Sequence, residues 1–343
     1  MQIQENFSLR KYNSFGIDVS ARYFSTFTDT TQLAELADKA FQFQSSAGTD
    51  PLMVLGGGSN ILFTRDRNGY VLKNDIPGIE KTGEDEEHVY VAVGAGENWH
   101  QLVLHTIANG WAGLENLSLI PGNTGASPMQ NIGAYGVELK DVFYELEAWH
   151  LFDKTLVKFS AADCAFGYRE SVFKHKFRNQ FVITKVVFRL FKTPRFNISY
   201  GAIREELEKA GVSTLTLRAV SDAVIRIRSS KLPDPAVIGN AGSFFKNPEI
   251  PADQFLLLKN TYPSIVGYPT TVGQVKLAAG WLIEQAGWKG FREGDAGCHA
   301  KQALVLVNYG AAKGSEILSL SEKIKASVAK KFGVMLHTEV NIF

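Results

Sequence analysis

The sequence predicts an α+β fold that is divided into two or three lobes. Its 343 residues exceed one domain, since a domain typically takes about 150 residues. Hydrophobic residues make up 45% of the chain and charged residues 21%, a balance that supplies a buried core and argues against disorder. Segments with strand periodicity alternate with segments of helical periodicity, and Gly- or Pro-rich breaks separate them.

The N-terminal part of the chain predicts one helix followed by short strands. A helix is expected over residues 32–43, where apolar residues fall on one face and Asp29 or Thr30 can cap the first turn. The apolar run 51–55 predicts a buried strand that ends on a glycine-rich loop. Residues 76–87 are polar and acidic, so we expect a hinge between lobes there.

The middle of the chain combines regular elements with one long irregular loop. A strand over 89–93 and a helix over 97–109 are expected, with Gly110 ending the helix in a left-handed conformation. Residues 113–137 show little periodicity, and such a long loop within a compact domain is usually functional. Further strands are expected over 142–151, 155–159 and 181–191.

The C-terminal part predicts helices that alternate with strands. Helices are expected over 201–210 and 217–228, and the second ends before the prolines of residues 231–235. A domain boundary is placed near Ser213. The later predicted segments are a Gly-rich stretch (239–248), a helix (275–286), a strand (303–307), a helix (315–332) and an alternating strand (334–343).

Composition excludes several classes of protein. Lys plus Arg is 36 and Asp plus Glu is 35, a net charge of +1, so no overall field favours nucleic acid or an anionic membrane. We find no signal-peptide pattern and no apolar run of about 18 residues that could span a bilayer. Cys164, Cys298 and the seven histidines match no metal, haem or redox spacing, so we expect no metal and a reducing cytosol.

Two glycine-rich loops follow predicted strands. In residues 56–60, backbone N–H groups without side chains could wrap a phosphate. This loop is neither a dinucleotide fingerprint, because Ile61 replaces the third glycine, nor a Walker loop, because no Gly-Lys-Ser/Thr follows. The loop Gly94-Ala95-Gly96 is an equally weak signal. A plain tight turn is the alternative for each.

The long loop of residues 120–136 is a stronger signal. Small residues recur in it where a bulky planar ligand could lie against the backbone. Polar side chains intervene, namely Asn123, Thr124, Ser127, Gln130 and Asn131. A surface Ω-loop is the alternative, but the length and low charge of the segment argue against it.

Three residues in unusual surroundings are candidates for chemistry. Arg169 is flanked by aromatic residues, and a partly desolvated guanidinium suits a carboxylate or enolate. Ser243 lies between glycine and two phenylalanines, but no Gly-x-Ser-x-Gly elbow marks it as a hydrolase nucleophile. Glu339 lies in the terminal predicted strand. A surface arginine, a turn serine and a solvated carboxylate are the alternatives, and the residues alone do not identify a reaction.

Nine segments taken together resemble the UDP-N-acetylenolpyruvoylglucosamine reductases, flavoenzymes that make UDP-N-acetylmuramate for bacterial cell walls. They occur in the family's order and span nearly the whole chain, which makes the resemblance specific. The segments are 13–18, 56–60, 94–99, 113–117, 120–136, 166–171, 231–235, 240–248 and 276–281.

The resemblance implies a two-lobed FAD-binding fold of the vanillyl-alcohol-oxidase type, followed by a substrate-binding α+β domain. The implied divisions are residues 1–75 and 76–212 for the two FAD lobes and 213–343 for the substrate domain, whose last strand could return to the FAD lobes. NADPH would reduce a noncovalently held FAD and leave. UDP-N-acetylglucosamine enolpyruvate would then take the same site and receive hydride from flavin N5. The resemblance assigns FAD contacts to Gly56, Gly57, Gly58, Ser59, Asn60, Pro121, Gly122, Gly125, Ala126, Ser127, Ile132 and Gly133.

The resemblance also gives the three candidate residues catalytic roles. Arg169 matches the arginine that stabilises the substrate carboxylate as it becomes enolate-like. Ser243 matches the proton donor, and a serine can serve because a carbanionic intermediate is a strong base. Glu339 matches the carboxylate that works opposite Arg169. Many family members place proline before this glutamate, whereas here Thr338 precedes it, and we expect the strand to survive.

Four more residues match positions that contact the substrate. Tyr200 matches a tyrosine on a mobile loop that closes over the diphosphate, a feature of the longer of two family subtypes. Lys231 would pair with the diphosphate or the NADPH phosphate as a point charge. Asn247 and Tyr168 are further candidates for substrate contact. The implied protein is a cytoplasmic monomer without metal, nucleic-acid or membrane partners.

The way the flavin is held distinguishes the implied reductase from an alcohol or lactone oxidase of the same fold. Such oxidases commonly tether flavin through His or Cys, and residues 56–60 contain neither. We therefore expect acid unfolding of the purified protein to release free FAD into the supernatant. Flavin that stays on the polypeptide would favour the oxidase. A colourless preparation that FAD cannot reconstitute would instead favour a sugar-nucleotide-binding module without turnover.

Overall fold

The computed structural model describes residues 2–44 and 48–343, which group into two compact units. The first unit comprises Met1–Phe7, Ala21–Gly57 and Arg67–Ser230. The second comprises Ser8–Ser20, Gly58–Asp66 and Lys231–Phe343. The divisions after residues 75 and 212 that the sequence predicts stay predictions.

Strands and helices alternate along both units. The strands are β1 (Gln4–Ser8), β2 (Ser20–Phe27), β3 (Met53–Leu55), β4 (Ile61–Leu62), β5 (Arg67–Asn74), β6 (Ile79–Glu84), β7 (His88–Gly94), β8 (Gly133–Ala134), β9 (Val137–Glu138), β10 (Phe143–His150), β11 (Thr155–Ser160), β12 (Phe181–Phe191), β13 (Gly239–Ser243), β14 (Glu249–Pro251), β15 (Gly267–Pro269), β16 (Gln274–Leu277), β17 (Arg292–Glu293), β18 (Ala296–Cys298), β19 (Val305–Asn308) and β20 (Asn341–Ile342). The α-helices are α1 (Thr30–Gln44), α2 (Trp99–Ala108), α3 (Ala161–Cys164), α4 (Gly201–Lys209), α5 (Leu217–Lys231), α6 (Ala252–Thr261), α7 (Ala279–Gln285) and α8 (Gly314–Phe332).

A four-stranded sheet and helix α1 form one part of the first unit. The strand order is β1-β2-β5-β3, and both β2 and β3 run parallel to β5. Helix α1 buries Leu33 and Leu36 against Tyr70 and Leu72 of β5. Asp29 caps the helix as expected, because its carboxylate accepts the N–H of Gln32 at 2.8 Å.

A five-stranded antiparallel sheet forms the larger part of the first unit. Its order is β11-β10-β12-β7-β6, and one face packs with helix α2 into the main hydrophobic core of this unit. The segment 76–87, where a hinge between lobes is expected, contains the edge strand β6 (Ile79–Glu84), and the hinge itself stays a prediction. Most of its residues are exposed, so backbone pairing with β7 holds this strand although its side chains are polar.

Helices α4 and α5 form a small cluster in the same unit. Ile203 and Leu207 of α4 pack with Ala223 and Val224 of α5, and all four are buried. Gly211 follows α4 with a φ of +66°, the left-handed conformation in which glycine commonly ends a helix.

The second unit contains two further antiparallel sheets and one parallel strand pair. One sheet has the order β13-β19-β18-β17 and the other the order β14-β16-β15. Strand β20 runs parallel to β4, so the chain terminus pairs with residues that follow the first glycine loop. Helix α8 buries one face of its 19 residues, including Ile317, Leu320 and Ile324.

Two predicted elements of this unit differ in the structure. Residues 275–286 are not one helix, since strand β16 precedes helix α7. Val275 and Leu277 are buried and the residues on either side of each are less so, which is the alternation of a strand. A run of only four residues is too short to distinguish this alternation from the period of a helix. Residues 334–343 do not form the one strand that the sequence predicts, because pairing is confined to an isolated bridge between Thr338 and Phe245 and to β20. The strand expected around Glu339 is therefore reduced to that bridge.

No helix in residues 2–44 and 48–343 combines the length and the apolar composition needed to cross a lipid bilayer.

Both cysteines are buried free thiols. Burial raises the pKa of Cys164 and of Cys298 to about 12 in each case. Because the thiolate is the reactive form, we expect almost no alkylation of the folded protein by iodoacetamide at pH 8. Denaturant should expose two thiols per chain to the same reagent. Rapid native labelling, counted by mass spectrometry, would contradict this burial.

Candidate active site

Two glycine loops of the first unit touch through their backbones. A Cβ placed on Gly57 would lie 2.7 Å from Cα of Gly122, a distance that carbon atoms do not reach without a shift. A Cβ on Gly56 would lie 3.8 Å from Cβ of Ala126, which is ordinary contact. The structure therefore brings together Gly56 and Gly57 with Gly122 and Ala126, four of the predicted cofactor residues.

The third glycine loop joins the same arrangement. The N–H of Gly125 donates to the carbonyl of Ala95 at 2.9 Å, and a Cβ on Gly125 would lie 2.5 Å from Cβ of Ala95. The N–H of Thr124 donates to the carbonyl of Glu97 at 2.8 Å, and the Asn123 amide donates to the carbonyl of Gly96 at 2.7 Å. Residues 94–98 therefore pack against the long loop and are hydrogen-bonded to it, rather than forming an isolated turn.

This cradle of three loops fits a cofactor that lies against peptide backbone. Only glycine allows the approach at residues 57 and 125, and glycine-rich backbone is what surrounds phosphate and planar rings in nucleotide sites. Gly122 has a φ of +116°, a conformation that only glycine readily adopts. The residues present thus fit FAD at Gly56, Gly57 and residues 122–126.

The remaining predicted cofactor residues of the long loop lie at its start and in the part that leads to β8. Pro121 is exposed at the start of the loop. Ser127 is buried, and its hydroxyl donates to the carbonyl of Thr124 at 2.6 Å, so it stabilises the loop itself. Ile132 packs beside the main core of the unit through its side chain, and its N–H donates to the carbonyl of Ser127 at 3.2 Å. Gly133 begins β8.

Arg169 is held in a strained turn whose side chain reaches the long loop. Gly167 and Glu170 exchange backbone hydrogen bonds, so Tyr168 and Arg169 occupy the two central positions. Arg169 has a φ of +56°, which glycine or asparagine usually supplies at this position. Its Nη2 donates to the carbonyl of Gly133 at 2.7 Å, and its guanidinium lies 5.3 Å from the Tyr168 ring centroid. The cation is therefore fixed against cofactor-loop backbone.

A second cation near Arg169 was not predicted from the sequence. Arg228 of α5 donates through Nε to the carbonyl of Leu119 at 3.2 Å and through its guanidinium to the Tyr135 hydroxyl. Burial, and to a smaller extent repulsion from Arg169, lowers the pKa of Arg228 below its ordinary value. One feature of the sequence could have identified Arg228. It lies four residues after Val224, which places it at the edge of the apolar face of α5.

The end of the first glycine loop lies in the second unit. Gly58 has a φ of +65°, and a Cβ there would lie 2.0 Å from the carbonyl oxygen of Tyr12. The side-chain amide of Asn60 donates to the backbone carbonyl of Glu339 at 3.3 Å. The backbone carbonyl of Asn60 accepts the N–H of Asn341 at 3.1 Å. The structure therefore brings Asn60 to the terminal segment that carries Glu339, and Ser59 lies beside Asn60 in the chain.

Ser243 and Glu339 lie on paired segments of the second unit. Ser243 ends β13, and the next residue, Phe244, accepts the N–H of Glu339 at its carbonyl, at 2.8 Å. Phe245 forms a bridge with Thr338. Both phenylalanines are buried, and both candidate residues are partly buried.

The four predicted substrate-contacting residues have different surroundings. Lys231 is exposed at the last position of α5. Asn247 accepts the N–H of Ala279 at its carboxamide oxygen, at 3.0 Å, and so caps helix α7. Tyr168 lies under the Arg169 guanidinium. Tyr200 precedes α4, is 48% exposed, and meets the Tyr135 ring edge-to-face at 5.3 Å between centroids.

Within residues 2–44 and 48–343, no group of three or more His, Cys, Asp and Glu side chains is placed to hold a metal ion.

Two family models match the chain, one in each half. The model described as the C-terminal domain of UDP-N-acetylenolpyruvoylglucosamine reductase matches residues 234–343. The model described as an FAD binding domain matches residues 33–158, which contain all three glycine loops.

Individual proteins agree with these models. The chain is 51% identical to the UDP-N-acetylenolpyruvoylglucosamine reductase of Amoebophilus asiaticus over 342 residues, which cover 100% of this chain and 99% of the relative. The crystal structure of the Thermus caldophilus reductase of that name matches with a TM-score of 0.68 at 23% identity, covering 100% of this chain and 99% of that one. The fold of 6-hydroxy-D-nicotine oxidase from Arthrobacter nicotinovorans matches with a TM-score of 0.53 at 13% identity, covering 97% and 86%. The fold is thus the α+β FAD-binding fold of the vanillyl-alcohol-oxidase type that the sequence predicts.

A half-buried histidine near Arg228 generates a prediction about the pH dependence of stability. His100 accepts the N–H of Leu119 at Nδ1, at 3.0 Å, and burial, then repulsion from Arg228, lowers its pKa below 6.5. As pH falls through about 6.5, the unfolded state takes up the proton first, so the folded state loses stability. In His100→Asn, whose oxygen can accept the same N–H, this loss should be absent.

Urea unfolding at saturating FAD between pH 7.5 and 5.5 measures the effect. The stability of the unmodified protein relative to His100→Asn should fall steadily below about pH 6.5. His105→Asn, at an exposed position of the same helix, is the matched control and should follow the unmodified protein. Parallel curves for His100→Asn and the unmodified protein would contradict the prediction.

Proposed function

Because the chain belongs to the UDP-N-acetylenolpyruvoylglucosamine reductases, FAD-binding oxidoreductases of peptidoglycan precursor synthesis, we propose a specific set of catalytic residues for it. The proposed reaction is reduction of UDP-N-acetylglucosamine enolpyruvate by NADPH to UDP-N-acetylmuramate. The observation that carries the proposal is the fixing of Arg169 on Gly133, within the glycine-rich loop that packs against Gly57.

FAD is proposed to be held without a covalent bond by residues 56–60, 121–127 and 132–133. When bound, it supplies the hydride that NADPH donates and that the enolpyruvyl group receives. The chain contributes backbone N–H groups and shape, since the glycines at 57 and 125 leave no room for a side chain. The likeness to 6-hydroxy-D-nicotine oxidase supports this binding fold and not that protein's reaction.

Arg169 is proposed to stabilise the negative charge that grows on the substrate carboxylate as hydride arrives. The turn and the Gly133 carbonyl fix the guanidinium before the reaction, so little reorganisation is needed when the charge develops. Such a preorganised cation contributes more to the rate than to ground-state binding. Loss of one comparable donor typically costs about 3–4 kcal/mol of transition-state stabilisation.

Ser243 is proposed to donate the proton that completes the reduction. A hydroxyl is a weak acid toward water, but an enolate-like carbon is a strong base, so the transfer runs downhill. Glu339 is proposed to orient the intermediate or to relay a proton to Ser243. The pairing of Glu339 with Phe244, the neighbour of Ser243, supports the assignment of both residues to one process.

Substrate contacts are proposed for Tyr200, Lys231, Tyr168 and Asn247. Lys231 and Tyr200 suit the diphosphate, because both are exposed and each ends in a polar group that can interact with phosphate oxygens. Tyr168 orients Arg169 through its ring. Asn247 already caps α7 with its oxygen, so only its amide nitrogen would face a ligand.

The wider setting of the enzyme is also proposed. Residues 1–75 and 76–212 would form the two FAD lobes, and 213–343 the substrate domain. The protein would act as a monomer in the cytoplasm, with the sugar nucleotide and NADPH as its partners and no nucleic acid or membrane.

Ser243→Ala tests the mechanism directly. Because Ser243 acts only in protonation, reduction of the flavin by NADPH should remain near the unmodified rate. Reoxidation by the enolpyruvyl substrate should slow by about 100-fold or more, the usual contribution of a positioned general acid. Stopped-flow absorbance of the flavin resolves the two half-reactions. Ser319→Ala, at an exposed position of α8, is the control for the chemical change. Equal slowing of both half-reactions would refute the assignment.

A further inference from the structure

A buried asparagine of the long loop bonds the carbonyl that closes the Arg169 turn. The side-chain nitrogen of Asn131 donates to the carbonyl of Gly167 and to the Glu138 carboxylate, each at 3.0 Å. Asn131 is 0% exposed. The Gly167 carbonyl also accepts the N–H of Glu170 at 3.2 Å, so both of its lone pairs are used. The first end of the turn is therefore tied to the long loop by a side chain that water does not reach.

Asn131 is itself held in one orientation. Its φ of +44° lies in the left-handed region, which asparagine tolerates better than most residues. Its Oδ1 accepts the N–H of Lys140 at 3.0 Å. The carboxamide thus makes three of the four hydrogen bonds open to it, and rotation of the group would break all three.

Ser171 ties the second end of the turn to the same loop. Ser171 is 2% exposed, and its Oγ donates to the carbonyl of Met129 at 2.7 Å. Residues 129–133 therefore bond both ends of the turn as well as the guanidinium between them. We call Asn131 and Ser171, with the carbonyls of Gly167 and Met129, the turn clamp.

The backbone of Arg169 makes such a clamp necessary. Its φ of +56° is unfavourable for a residue with a Cβ, and a strained backbone persists only where its surroundings fix it. The hydrogen bond to the Gly133 carbonyl holds only the end of a long side chain with many rotamers. A turn that relaxed to a negative φ would direct the same side chain elsewhere, so the ends of the turn must be held as well.

Lys174 adds a further tie to the turn. Its Nζ donates to the carbonyl of Arg169 at 3.2 Å and to the carboxamide oxygen of Gln130 at 3.4 Å. Lys174 is partly exposed, unlike the two clamp residues. Loss of one clamp residue is therefore expected to loosen the turn rather than to release it.

We propose that Asn131 and Ser171 are positioning residues, because they hold the turn in the conformation that brings the Arg169 guanidinium to Gly133. The inference rests on the proposed role of Arg169 toward the substrate carboxylate. Neither clamp side chain needs to touch substrate or flavin. A charge stabilises a transition state best when it is already in place, and a displacement of about 1 Å can lower a rate about 100-fold. The turn clamp therefore acts on the step in which charge develops on the substrate.

Ser171→Ala in the FAD-loaded enzyme tests the turn clamp. We expect reoxidation of the reduced flavin by UDP-N-acetylglucosamine enolpyruvate to slow about tenfold, which corresponds to one lost buried hydrogen bond. Reduction by NADPH should stay within about twofold, because no charge develops on a substrate carboxylate in that step. The Kd of the substrate for the oxidised enzyme, from calorimetry, should change less than about threefold, since the cation contributes more to the rate than to binding.

Ser321→Ala is the matched control. Ser321 of α8 is 0% exposed and donates from Oγ to the carbonyl of Leu318 at the same distance of 2.7 Å. It should leave both half-reactions within about twofold of the unmodified rates. Unchanged reoxidation in Ser171→Ala, or equal slowing of its two half-reactions, would overturn the proposal for Ser171.

Asn131→Asp tests the first end of the turn. Aspartate tolerates the positive φ and keeps the oxygen that accepts the N–H of Lys140, but it places a carboxylate oxygen against the Gly167 carbonyl. Reoxidation should slow at least as much as in Ser171→Ala, with reduction by NADPH again within about twofold. Loss of bound FAD, or equal slowing of both half-reactions, would assign Asn131 to the cofactor loop alone and overturn its positioning role.

Arg169→Ala separates the turn clamp from the function on which it rests. This variant should slow reoxidation about 100-fold or more, the usual effect of losing one preorganised donor. Adding Ser171→Ala to it should slow reoxidation no further, because the turn clamp acts only through Arg169. Unchanged reoxidation in Arg169→Ala would refute the assignment of Arg169 itself. Slow reoxidation in Arg169→Ala with additive slowing by Ser171→Ala would refute the turn clamp alone.

Discussion

The backbone contact between glycine loops is the constraint on which the first unit depends. Residues 57 and 122 approach so closely that any side chain at 57 would meet Cα of Gly122, and residue 125 approaches Ala95 in the same way. The same long loop carries the carbonyl of Gly133, to which the Arg169 guanidinium donates. One loop thus combines the close backbone contact with the acceptor that holds the charge.

Arg169 illustrates how such a position is maintained. A positive φ at a bulky residue is unfavourable, and local strain of this kind, of order 1–3 kcal/mol, persists only where the surroundings over-determine it. Here the Gly167–Glu170 turn, the Gly133 carbonyl and the Tyr168 ring supply those surroundings. Arg228 lies close enough to repel it, so two cations are held in one part of the unit. Anionic ligands are the natural complement of that arrangement.

Polar side chains, together with apolar packing, organise the irregular parts of both units. Asn116 joins the Tyr135 turn to Asn197, and Asn60 joins the end of the first glycine loop to the backbone of Glu339. Loops without helix or sheet ladders must satisfy their carbonyls in another way, and a carboxamide can bond two segments at once. A few side-chain amides therefore help to fix the candidate functional segments, and loss of one would remove hydrogen bonds to the segments that it joins.

The sequence by itself determined the family, the glycine loops and most regular elements, since periodicity and the order of motifs are local properties of the chain. Helix α1 with its Asp29 cap and strand β12 follow the predicted bounds closely. The polar edge strand β6, the division of residues 274–285 into strand and helix, and the sparse pairing of residues 334–343 did not follow. Backbone pairing with a neighbour can hold a polar strand, and four residues do not distinguish two periods. Only the tertiary structure brought Arg228 within electrostatic range of Arg169 and joined Asn116 to Asn197, because the members of each pair are more than 50 residues apart in the chain and no local pattern relates them.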